Sequence, residues 1–303
     1  MLDLHRARIL REVARRGSMT AAAQALAYTQ PAVSHHIARL ERELGTPLVV
    51  RHGRGVRLTE AGRILVEHTE AVLARLADAE EQIAAIAGLR AGRVRAAVFP
   101  TAAAGLLPDA LVALRERAPQ VTVSLLEAEP PEALAALKAG EVDVAVVFSY
   151  EETPEAGWRE VPLLTDPVLA AVPAGHRLAG AGRVRLADLA DEAWAAGCER
   201  CRGHLTRACL RAGFEPRIAF ATDDHVAVQR LVGRGLAVTA LPRLAFTVHT
   251  DPQVAVLQAA ELGWRRVSAL VPAGGRPPAV AALLDELVAA ARQAPPGPGV
   301  PAA

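Results

Sequence analysis

Residues 18–62 constrain the fold of this chain more than any other stretch, because they predict two short helices, a tight turn and a hairpin in close succession. Ser18 is a favourable N-cap for the first helix, which is rich in alanine. Thr29 is a second N-cap, and Pro31 stands in the first turn of the next helix, where its missing N–H is tolerated. Gly45 ends that helix as a C′ glycine. Two helices joined in this way indicate a helix-turn-helix.

The second of these helices has an apolar face and a polar face. The apolar residues recur at helical spacing and are expected to point into the core of a small domain: Val33, Ile37, Leu40 and Leu44. The opposite face carries Pro31, His35, Ala38, Arg39 and Arg42, with Gln30 and Ser34 at its N-terminal flank. Small and hydrogen-bonding side chains let a helix approach base edges closely, and its N-terminal residues make the base contacts. An amphipathic helix with a solvated polar face is the alternative, but it does not explain the neighbouring helix and hairpin.

A basic hairpin follows this helix. The stretch from Arg51 to Arg57 predicts a turn between two short strands, since its two glycines allow tight backbone geometry. The flanking strands are expected at 47–50 and around Leu58. With Arg54 between them, the three arginines suit phosphate contacts, which position a protein on DNA without reading sequence. A solvated charged loop is the alternative.

Charge is distributed unevenly along the 303 residues. Residues 1–65 carry 11 arginines and 5 acidic residues, whereas the remainder carries 23 basic and 28 acidic residues. A basic N-terminal part on a mildly acidic body favours nucleic acid as a partner of the first part alone. The hydrophobic fraction of 51% is ample for packed cores, and the length predicts two or three domains.

A long helix is expected after the hairpin. Thr59 is its N-cap, and it is predicted to run to about Ala87, before a hinge at 89–93. Its apolar residues from Val72 on alternate in steps of three and four, a short heptad pattern; the full set is Leu65, Val72, Leu76, Ala79, Ile83 and Ile86. A helix of this length exceeds what a small winged domain can bury, so we expect it to pair with a second subunit. Packing within the same chain is the alternative.

From Val94 onward, strands alternate with helices, which predicts a parallel sheet in two similar halves. The first half is expected to have strands at 94–98, 121–126 and 142–148 and helices at 103–118 and 131–139. The second half is expected to have strands at 193–196, 217–220 and 236–240 and helices at 203–212 and 224–234. Two further strands are expected where the chain crosses between lobes, at 166–172 and 266–271. Ligands of open α/β sheets bind at the carboxyl ends of strands, so two facing lobes make a cleft.

The chain closely resembles the LysR-type transcriptional regulators. The specific matches are Gly17-Ser-Met-Thr-Ala-Ala-Ala, Thr29-Gln-Pro-Ala-Val-Ser, Leu40-Glu-Arg-Glu-Leu-Gly, Pro47-Leu, Arg51 and Leu58-Thr-Glu-Ala-Gly62. Weaker matches are Phe99-Pro-Thr-Ala, Gly140-Glu-Val-Asp-Val-Ala and the run 231–242. The resemblance covers the chain to about residue 290.

This resemblance implies three domains and a tail. They are a winged helix-turn-helix DNA-binding domain (1–58), a linker and dimerisation helix (59–90), an α/β effector domain (91–293) and a disordered tail (294–303). The effector domain would be two-lobed and periplasmic-binding-protein-like, with lobe I at about 91–162 and 267–293 and lobe II at about 163–266. The resemblance also implies a sequence-specific regulator of double-stranded promoter DNA. It would form homodimers and homotetramers and respond to a small organic effector of unknown identity between the lobes, with no cofactor.

DNA contacts are assigned to the two helices and the wing: Ser18, Thr20, Thr29, Gln30, Pro31, Ser34, His35, Arg39, Arg51 and Arg54. Gln30, Ser34 and His35 are expected nearest the bases. Two positions depart from the family pattern. Val49-Val50 stands where the family usually has Leu-Phe, which should alter wing packing. His35-His36 replaces Arg- or Gln-type residues, so the family's base contacts do not transfer to those two positions.

Carried over residue by residue, the family's cleft implies these lining residues: Pro100, Thr101, Ala102, Phe148, Ser149, Cys198, Thr222, Asp223, Asp224 and His225. Thr101 is expected at a helix N-terminus, where it would hold a carboxylate or serve only as an N-cap. Asp223 is open to the same N-cap interpretation. If both aspartates face the cleft, a ligand with an amine or hydroxyls is favoured over a dianionic aromatic acid.

The stretch Cys198-Glu-Arg-Cys201, with His204 and Cys209, is not explained by the generic family pattern. The ligand types suit a metal, but Cys209 falls inside a helix two turns past Cys201, which is awkward for tetrahedral closure. Redox sensing has support because Cys201 lies near a helix N-terminus and between two arginines, both of which lower a thiol pKa. A structural or pocket-lining role is the third alternative.

The sequence contains no Walker loop, nucleophile elbow or HExxH stretch, so no enzyme or catalytic residue is expected. A solute-binding protein is a further alternative, but the lack of a signal peptide and the basic N-terminal part disfavour it. No apolar run reaches membrane-spanning length, so we expect a cytoplasmic chain with no membrane partner. A last alternative keeps the regulator but makes cysteine oxidation its input.

Overall fold

The computed structural model describes residues 2–52, 55–86, 92–150, 157–274 and 277–294. The chain divides into two compact units, one of residues 1–88 with 138–141 and the other of residues 89–137 and 142–303. Some predicted features lie outside the described residues: Arg54 of the wing, the end of the linker helix with most of the hinge, and the tail after residue 294.

The described part of the first unit has the order of a winged helix-turn-helix followed by a long helix. The elements are α1 (Leu4–Arg16), α2 (Met19–Ala25), α3 (Gln30–Leu44), β1 (Val49–His52), β2 (Gly55–Leu58) and α4 (Glu60–Ile86). β1 and β2 pair antiparallel, with Val49 opposite Leu58. The predicted winged helix-turn-helix is therefore confirmed.

Three of the four apolar residues predicted for the inner face of α3 lie in the core of this unit. Val33, Ile37 and Leu40 are buried beside Leu48. The prediction for Leu44 is wrong, because that side chain is 43% exposed. It is the last residue of α3, just before the left-handed turn at Gly45 (φ 69°), and Leu48 joins the core after that turn.

A side chain of α3 holds the start of the wing by accepting hydrogen bonds from two backbone N–H groups. The Glu41 Oε1 atom on α3 accepts hydrogen bonds from the N–H groups of Leu48 (2.8 Å) and Val49 (3.2 Å). Thr59 caps α4 as predicted, since its Oγ1 accepts from the N–H of Gly62 at 3.0 Å. A Cβ atom at Gly62 would collide with the Leu48 carbonyl oxygen, so only glycine permits this approach.

The second unit is an α/β structure, as predicted. Its strands are β3 (Arg93–Val98), β4 (Thr122–Glu127), β5 (Val144–Ser149), β6 (Trp158–Pro173), β7 (Ala193–Ala196), β8 (Arg217–Ala221), β9 (Val238–Pro242), β10 (Val254–Leu257) and β11 (Trp264–Pro272). Its α-helices are α5 (Pro100–Gly105), α6 (Leu107–Arg117), α7 (Pro130–Lys138), α8 (Glu199–Arg211), α9 (His225–Gly233), α10 (Arg243–Val248) and α11 (Pro278–Gln293). Short 3₁₀ turns lie at Leu186–Leu189 and Ala260–Leu262.

The strands form two lobes that share β6. In lobe I, β3 pairs parallel with β4 and β5, and β11 pairs antiparallel with β5 and with the first part of β6. In lobe II, β7 pairs parallel with β8 and β9, and the second part of β6 pairs antiparallel with β9 and β10. Apolar clusters cover both faces of each lobe's sheet, as parallel strands require. Because β6 belongs to both lobes, it is one of the two crossing strands that the sequence predicts. The other, expected at 266–271, is part of β11, which pairs with β5 and β6.

Some boundaries differ from prediction. The single helix expected at 103–118 is two helices that meet at Leu106, because Pro108 cannot donate the backbone hydrogen bond that a continuous helix needs. α8 begins at Glu199 rather than near residue 203, which places Cys201 inside its first turn. Within the described residues, no helix is both long enough and apolar enough to span a bilayer.

Candidate DNA-binding surface and effector cleft

The start of α3 is built as the sequence predicts, with one difference at its cap. The Ser18 Oγ atom accepts a hydrogen bond from the N–H of Ala21 (3.4 Å) and so caps α2. The chain then turns through Ala27, whose φ is +56°. Thr29 holds the N-cap position of α3, but its hydroxyl makes no capping hydrogen bond to that helix. That hydroxyl is therefore available to a partner at the exposed helix start.

The outer face of α3 presents the predicted contact residues to solvent. Pro31, His35 and Arg39 are exposed, and Thr20 is exposed on the adjacent α2. Gln30 Nε2 donates to Ser34 Oγ at 2.7 Å, so these two side chains form a pair at the helix start. A pair of amide and hydroxyl groups offers donors and acceptors of the kind that read base edges.

The two adjacent histidines of α3 have different surroundings. His36 packs between His5 and Tyr28, with ring centroids 5.6 Å and 5.9 Å away. Burial lowers the pKa of His36, and the neighbouring His5 and His35 lower it further. His35 lies on the exposed outer face of α3, so it is the one of these two histidines that is placed on the predicted DNA-binding surface.

The wing is described in part. Arg51 belongs to β1, but its side chain lies outside the described residues, as does all of Arg54. Arg57, on β2, is exposed. The assignment of the wing arginines to phosphates therefore stays a prediction.

The stripe on α4 is largely exposed. Val72 and Leu76 are each 47% exposed, and Ile83 is 66% exposed. Leu65 differs, because it packs against the core of its own unit near the start of the helix. The apolar residues from Val72 to Ile83 thus lack cover within the described chain, whereas Leu65 does not belong to the stripe.

A cavity of about 40 Å³ lies between the lobes, at the carboxyl ends of β3, β5, β7 and β8. Seven of the ten predicted cleft residues line it: Pro100, Thr101, Phe148, Cys198, Thr222, Asp223 and His225. The prediction missed two ionisable lining residues from other segments, Glu129 and Arg265. Cys201 also lines the cavity, and a pocket-lining role is one of the three alternatives that the sequence left open for it.

The other three predicted cleft residues lie elsewhere. Ala102 is fully buried in the lobe I core. Ser149 lines a neighbouring cavity on the far side of Phe148. Asp224 is the N-cap of α9, where its Oδ1 accepts from the N–H groups of Val226 (2.8 Å) and Ala227 (3.1 Å). Asp223 therefore lines the cavity without Asp224, so the condition of two aspartates facing the cleft is not met.

A buried cation closes one wall of the cavity. The Arg265 side chain is 2% exposed, and its Nε donates to the fully buried Asp166 at 3.0 Å. Its Nη2 donates to Thr101 Oγ1 at 2.8 Å. The guanidinium also lies over the rings of Phe148 (4.5 Å) and Phe99 (4.9 Å). Thr101 therefore does not cap a helix, and its Oγ1 already accepts a hydrogen bond from Arg265.

Two thiols stand side by side at the start of α8. Cys198 is the N-cap, and its Sγ lies 3.1 Å from the Sγ of Cys201, to which it donates. The Tyr150 hydroxyl donates to the same Cys201 sulfur at 3.5 Å. The hydrogen bond from Cys198 and the charge of Arg265 lower the pKa of Cys201, although its burial opposes them. The same pairing, together with burial, raises the pKa of Cys198. Cys201 is therefore the thiolate of the pair.

The remaining members of the cysteine-histidine group do not join these thiols. Cys209 is fully buried in the lobe II core, and burial raises its pKa to about 12. His204 Nε2 donates to the Leu262 carbonyl at 2.7 Å, and its ring stacks on Tyr150 at 3.8 Å. Within the described parts of the chain, no three His, Cys, Asp or Glu side chains are placed to hold a metal ion.

Two polar atoms of the cavity residues are buried and have no hydrogen-bond partner among the described residues. They are Oε2 of Glu129 and Nε2 of His225. Burial raises the pKa of Glu129 and lowers that of His225, so both groups are biased towards their neutral forms. A polar ligand in the cavity would give these two atoms hydrogen-bond partners.

The comparisons with known proteins agree with this architecture. Residues 4–63 match the family model of the bacterial regulatory helix-turn-helix protein, lysR family, and residues 87–292 match the LysR substrate binding domain. A probable hydrogen peroxide-inducible genes activator of Mycobacterium avium is 36% identical over 250 residues, which cover 79% of this chain and 77% of the relative.

Two solved structures share the fold over most of their length. Full-length OxyR of Pseudomonas aeruginosa superposes with a TM-score of 0.75 at 24% identity, covering 95% of each chain. Full-length CbnR in complex with its target DNA superposes with a TM-score of 0.65 at 25% identity, covering 95% of this chain and 99% of that one. The chain therefore belongs to the LysR family, as a DNA-binding transcriptional regulator with a helix-turn-helix domain and an effector-binding domain.

Proposed function

We propose that this regulator takes its signal at the cleft between the lobes, and that the signal is a hydroperoxide the size of hydrogen peroxide. The observation that carries the proposal is the pair of thiols 3.1 Å apart on the wall of a cavity of about 40 Å³. Sites for drug-sized ligands measure about 300–1,000 Å³, whereas one water occupies about 30 Å³ in the liquid. The cavity therefore suits a molecule of a few heavy atoms. The Mycobacterium avium relative, named as a peroxide-inducible activator, supports this choice.

The reaction uses both thiols. The Cys201 thiolate attacks one peroxide oxygen, the O–O bond breaks, and the departing oxygen leaves as water after taking a proton. Cys201 becomes a sulfenic acid. The sulfur of Cys198 then attacks it, an S–S bond forms, and the second oxygen leaves as water. Two thiols are oxidised and one peroxide is reduced to two waters. Closing the sulfurs from 3.1 Å to about 2.05 Å requires little movement, so the pair is placed for this step.

Oxidation would act on the lobes through Tyr150. This residue follows β5 of lobe I, where its ring contacts Phe148, and it also contacts Cys201 and His204 on α8 of lobe II. A disulfide removes the thiolate that Tyr150 contacts, and so changes the free energy of one arrangement of the two lobes relative to another. Oxidation can shift the equilibrium between these arrangements only by that difference in free energy.

A second candidate is a small organic effector held without covalent chemistry. The unpartnered atoms of Glu129 and His225 favour it, because a ligand with a hydroxyl or amine would pair with them. It would need the lobes to open around a larger volume than about 40 Å³.

We also propose that the chain acts as a homodimer through α4 and as a homotetramer in the cytoplasm, where promoter DNA lies. The exposed stripe from Val72 to Ile83 supports the pairing of two α4 helices. Two-fold pairing would present two α3 helices to the two halves of a palindromic site.

The test uses the full chain, reduced and then treated with hydrogen peroxide. We expect the Cys198–Cys201 disulfide by mass spectrometry, and a changed set of sequences bound from a random duplex pool. The rate of Cys201 oxidation should rise with pH through about 7, because the thiolate is the nucleophile. Cys201→Ser should abolish both responses, whereas the buried Cys209→Ser should keep them. An unoxidised chain whose melting temperature rises with a small hydroxylated or amino ligand would favour the second candidate.

A further inference from the structure

We propose that Glu129 is a catalytic acid of the cleft, whose carboxyl gives its proton to the departing oxygen of the peroxide. This inference rests on the proposed oxidation of Cys201 and names a residue for the step that the two thiols do not supply. Breaking the O–O bond would otherwise release hydroxide, which is a poor leaving group without a proton. A positioned acid avoids that unfavourable charge.

The position of Glu129 supports the role. It lies between β4 and α7, on the lobe I wall of the cavity that also holds both thiols. Its Oε2 atom is buried and has no hydrogen-bond partner among the described residues. The nearby cation is committed elsewhere, because Arg265 donates to Asp166 and Thr101. Arg265 therefore forms no ion pair that would keep the Glu129 carboxyl in its charged form.

The charges around Glu129 favour its protonated form. Burial raises its pKa most, and the carboxylates of Asp223 and Glu132 raise it further. A hydrogen bond with Cys198 and the charge of Arg265 oppose that shift without reversing it.

The other titratable group without a partner in the cavity is less suited to donate. Burial lowers the pKa of His225, so its imidazole is neutral where the Cys201 thiolate is available. A neutral imidazole is a far weaker acid than a carboxyl. Glu129 is therefore the proton donor that the described cavity residues provide.

The same carboxyl can complete the cycle. After the first step Glu129 is a carboxylate, and its hydrogen-bond contact with Cys198 places it to take the S–H proton as that sulfur attacks the sulfenic acid. Glu129 passes that proton to the departing hydroxyl, which leaves as water, and then regains from solvent the proton that Cys201 had lost. The atoms balance as two thiols and one peroxide giving one disulfide and two waters.

The test measures the rate of Cys201 oxidation in the full reduced chain from pH 5 to pH 9, by alkylation and mass spectrometry. The reactive form has Cys201 ionised and Glu129 protonated, so the wild-type rate should pass through a maximum as the pH rises. Glu129→Gln keeps the size of the side chain but removes the acid, so it should lower the rate with hydrogen peroxide by about 10²-fold and abolish the alkaline fall. Glu116→Gln, an exposed matched control on α6, should change the rate by less than about twofold, because Glu116 does not line the cavity.

A second oxidant separates acid catalysis from a structural role. Peracetic acid releases acetate, which leaves without needing a proton, so the defect of Glu129→Gln should largely disappear with it. An equal defect with both oxidants would overturn the assignment, and so would an unchanged rate and pH profile with hydrogen peroxide. If wild-type Cys201 reacts with neither oxidant, the proposed function itself fails, and this outcome is distinct from both of the others.

Discussion

The outer face of α3 and the cleft between the lobes are both polar, but their side chains are held in opposite ways. On the outer face of α3 the polar groups are largely exposed and pair with near neighbours, as Gln30 does with Ser34 and Arg39 with Glu43, which also pairs with Arg6 of α1. In the cleft, Arg265 and Asp166 are almost completely buried and are joined across 99 residues of chain. A substitution on the outer face of α3 therefore leaves no buried partner behind. A substitution of Arg265 or Asp166 in the cleft leaves a buried partner without its hydrogen bond.

This difference sets the scale of the expected effects. An exposed ion pair contributes about 0–1 kcal/mol to stability, because water and salt screen it. Removing one member of a buried pair costs about 3–5 kcal/mol, because the remaining charge keeps its desolvation penalty. The DNA surface should therefore tolerate substitution with loss of binding alone. The cleft should lose folding stability and function together.

The largest expected effect is that of Arg265→Met. It leaves the buried Asp166 carboxylate without its cation and Thr101 without its donor, so unfolding in urea should show a loss of about 3–5 kcal/mol. Arg117→Met is the matched control, because Arg117 is 55% exposed and pairs with Asp285 and Glu286 near the surface. We expect less than about 1 kcal/mol for that control. Similar losses from the two variants would break the comparison.

The next largest effect is expected on the exposed apolar stripe of α4, which is neither an exposed polar surface like α3 nor a buried polar site like the cleft. Val72→Asp on α4 would bury an unpaired carboxylate between subunits if two stripes pair, and should weaken the dimer by about 3 kcal/mol or more. Ala77→Asp adds the same charge on another face of the helix and should leave the dimer intact. Sedimentation of the full chain over a concentration series measures both. A dimer unchanged by Val72→Asp would remove α4 as the interface.

The helix-turn-helix can be predicted from the sequence more completely than the cleft can. The helix-turn-helix depends on local signals, such as the Ser18 cap, Pro31 and Gly45, so its helices were predicted almost to the residue. The prediction that Leu44 is buried was wrong, because the residue that completes the core after α3 depends on the path of the chain beyond that helix. Helical periodicity does not predict that path.

The cleft was predicted only where residues follow strand ends or match the family. Thr101, Cys198 and Asp223 were found in this way. Arg265 was missed because it lies 164 residues from Thr101, and only the folded lobes bring the two together. Glu129 was missed because no spacing in the sequence relates it to the thiols.

A smaller effect is expected on the α3 surface. Gln30→Ala removes an amide that can pair with a base edge and frees Ser34 from its 2.7 Å hydrogen bond. We expect about 1–3 kcal/mol less discrimination between the preferred sequence and a one-base variant, with folding stability almost unchanged. Competition binding on sequences selected from a random duplex pool measures this directly. An equal loss on all sequences would mean that Gln30 contacts the backbone of the DNA instead.

The smallest expected effect is that of Arg39→Ala, and it tests whether the exposed face works through charge. Arg39 is 54% exposed, and its 3.3 Å contact with Glu43 is of the kind that contributes little to stability. Each phosphate that a protein neutralises releases condensed counterions, so losing one contact should reduce the slope of log affinity against log salt by about 0.9. The loss should be the same on preferred and random duplexes, since phosphates carry no sequence. Arg117→Ala removes the same charge from the second unit and should leave the slope unchanged. If Arg39→Ala altered sequence preference and kept the slope, the polar face of α3 would read bases beyond its first turn.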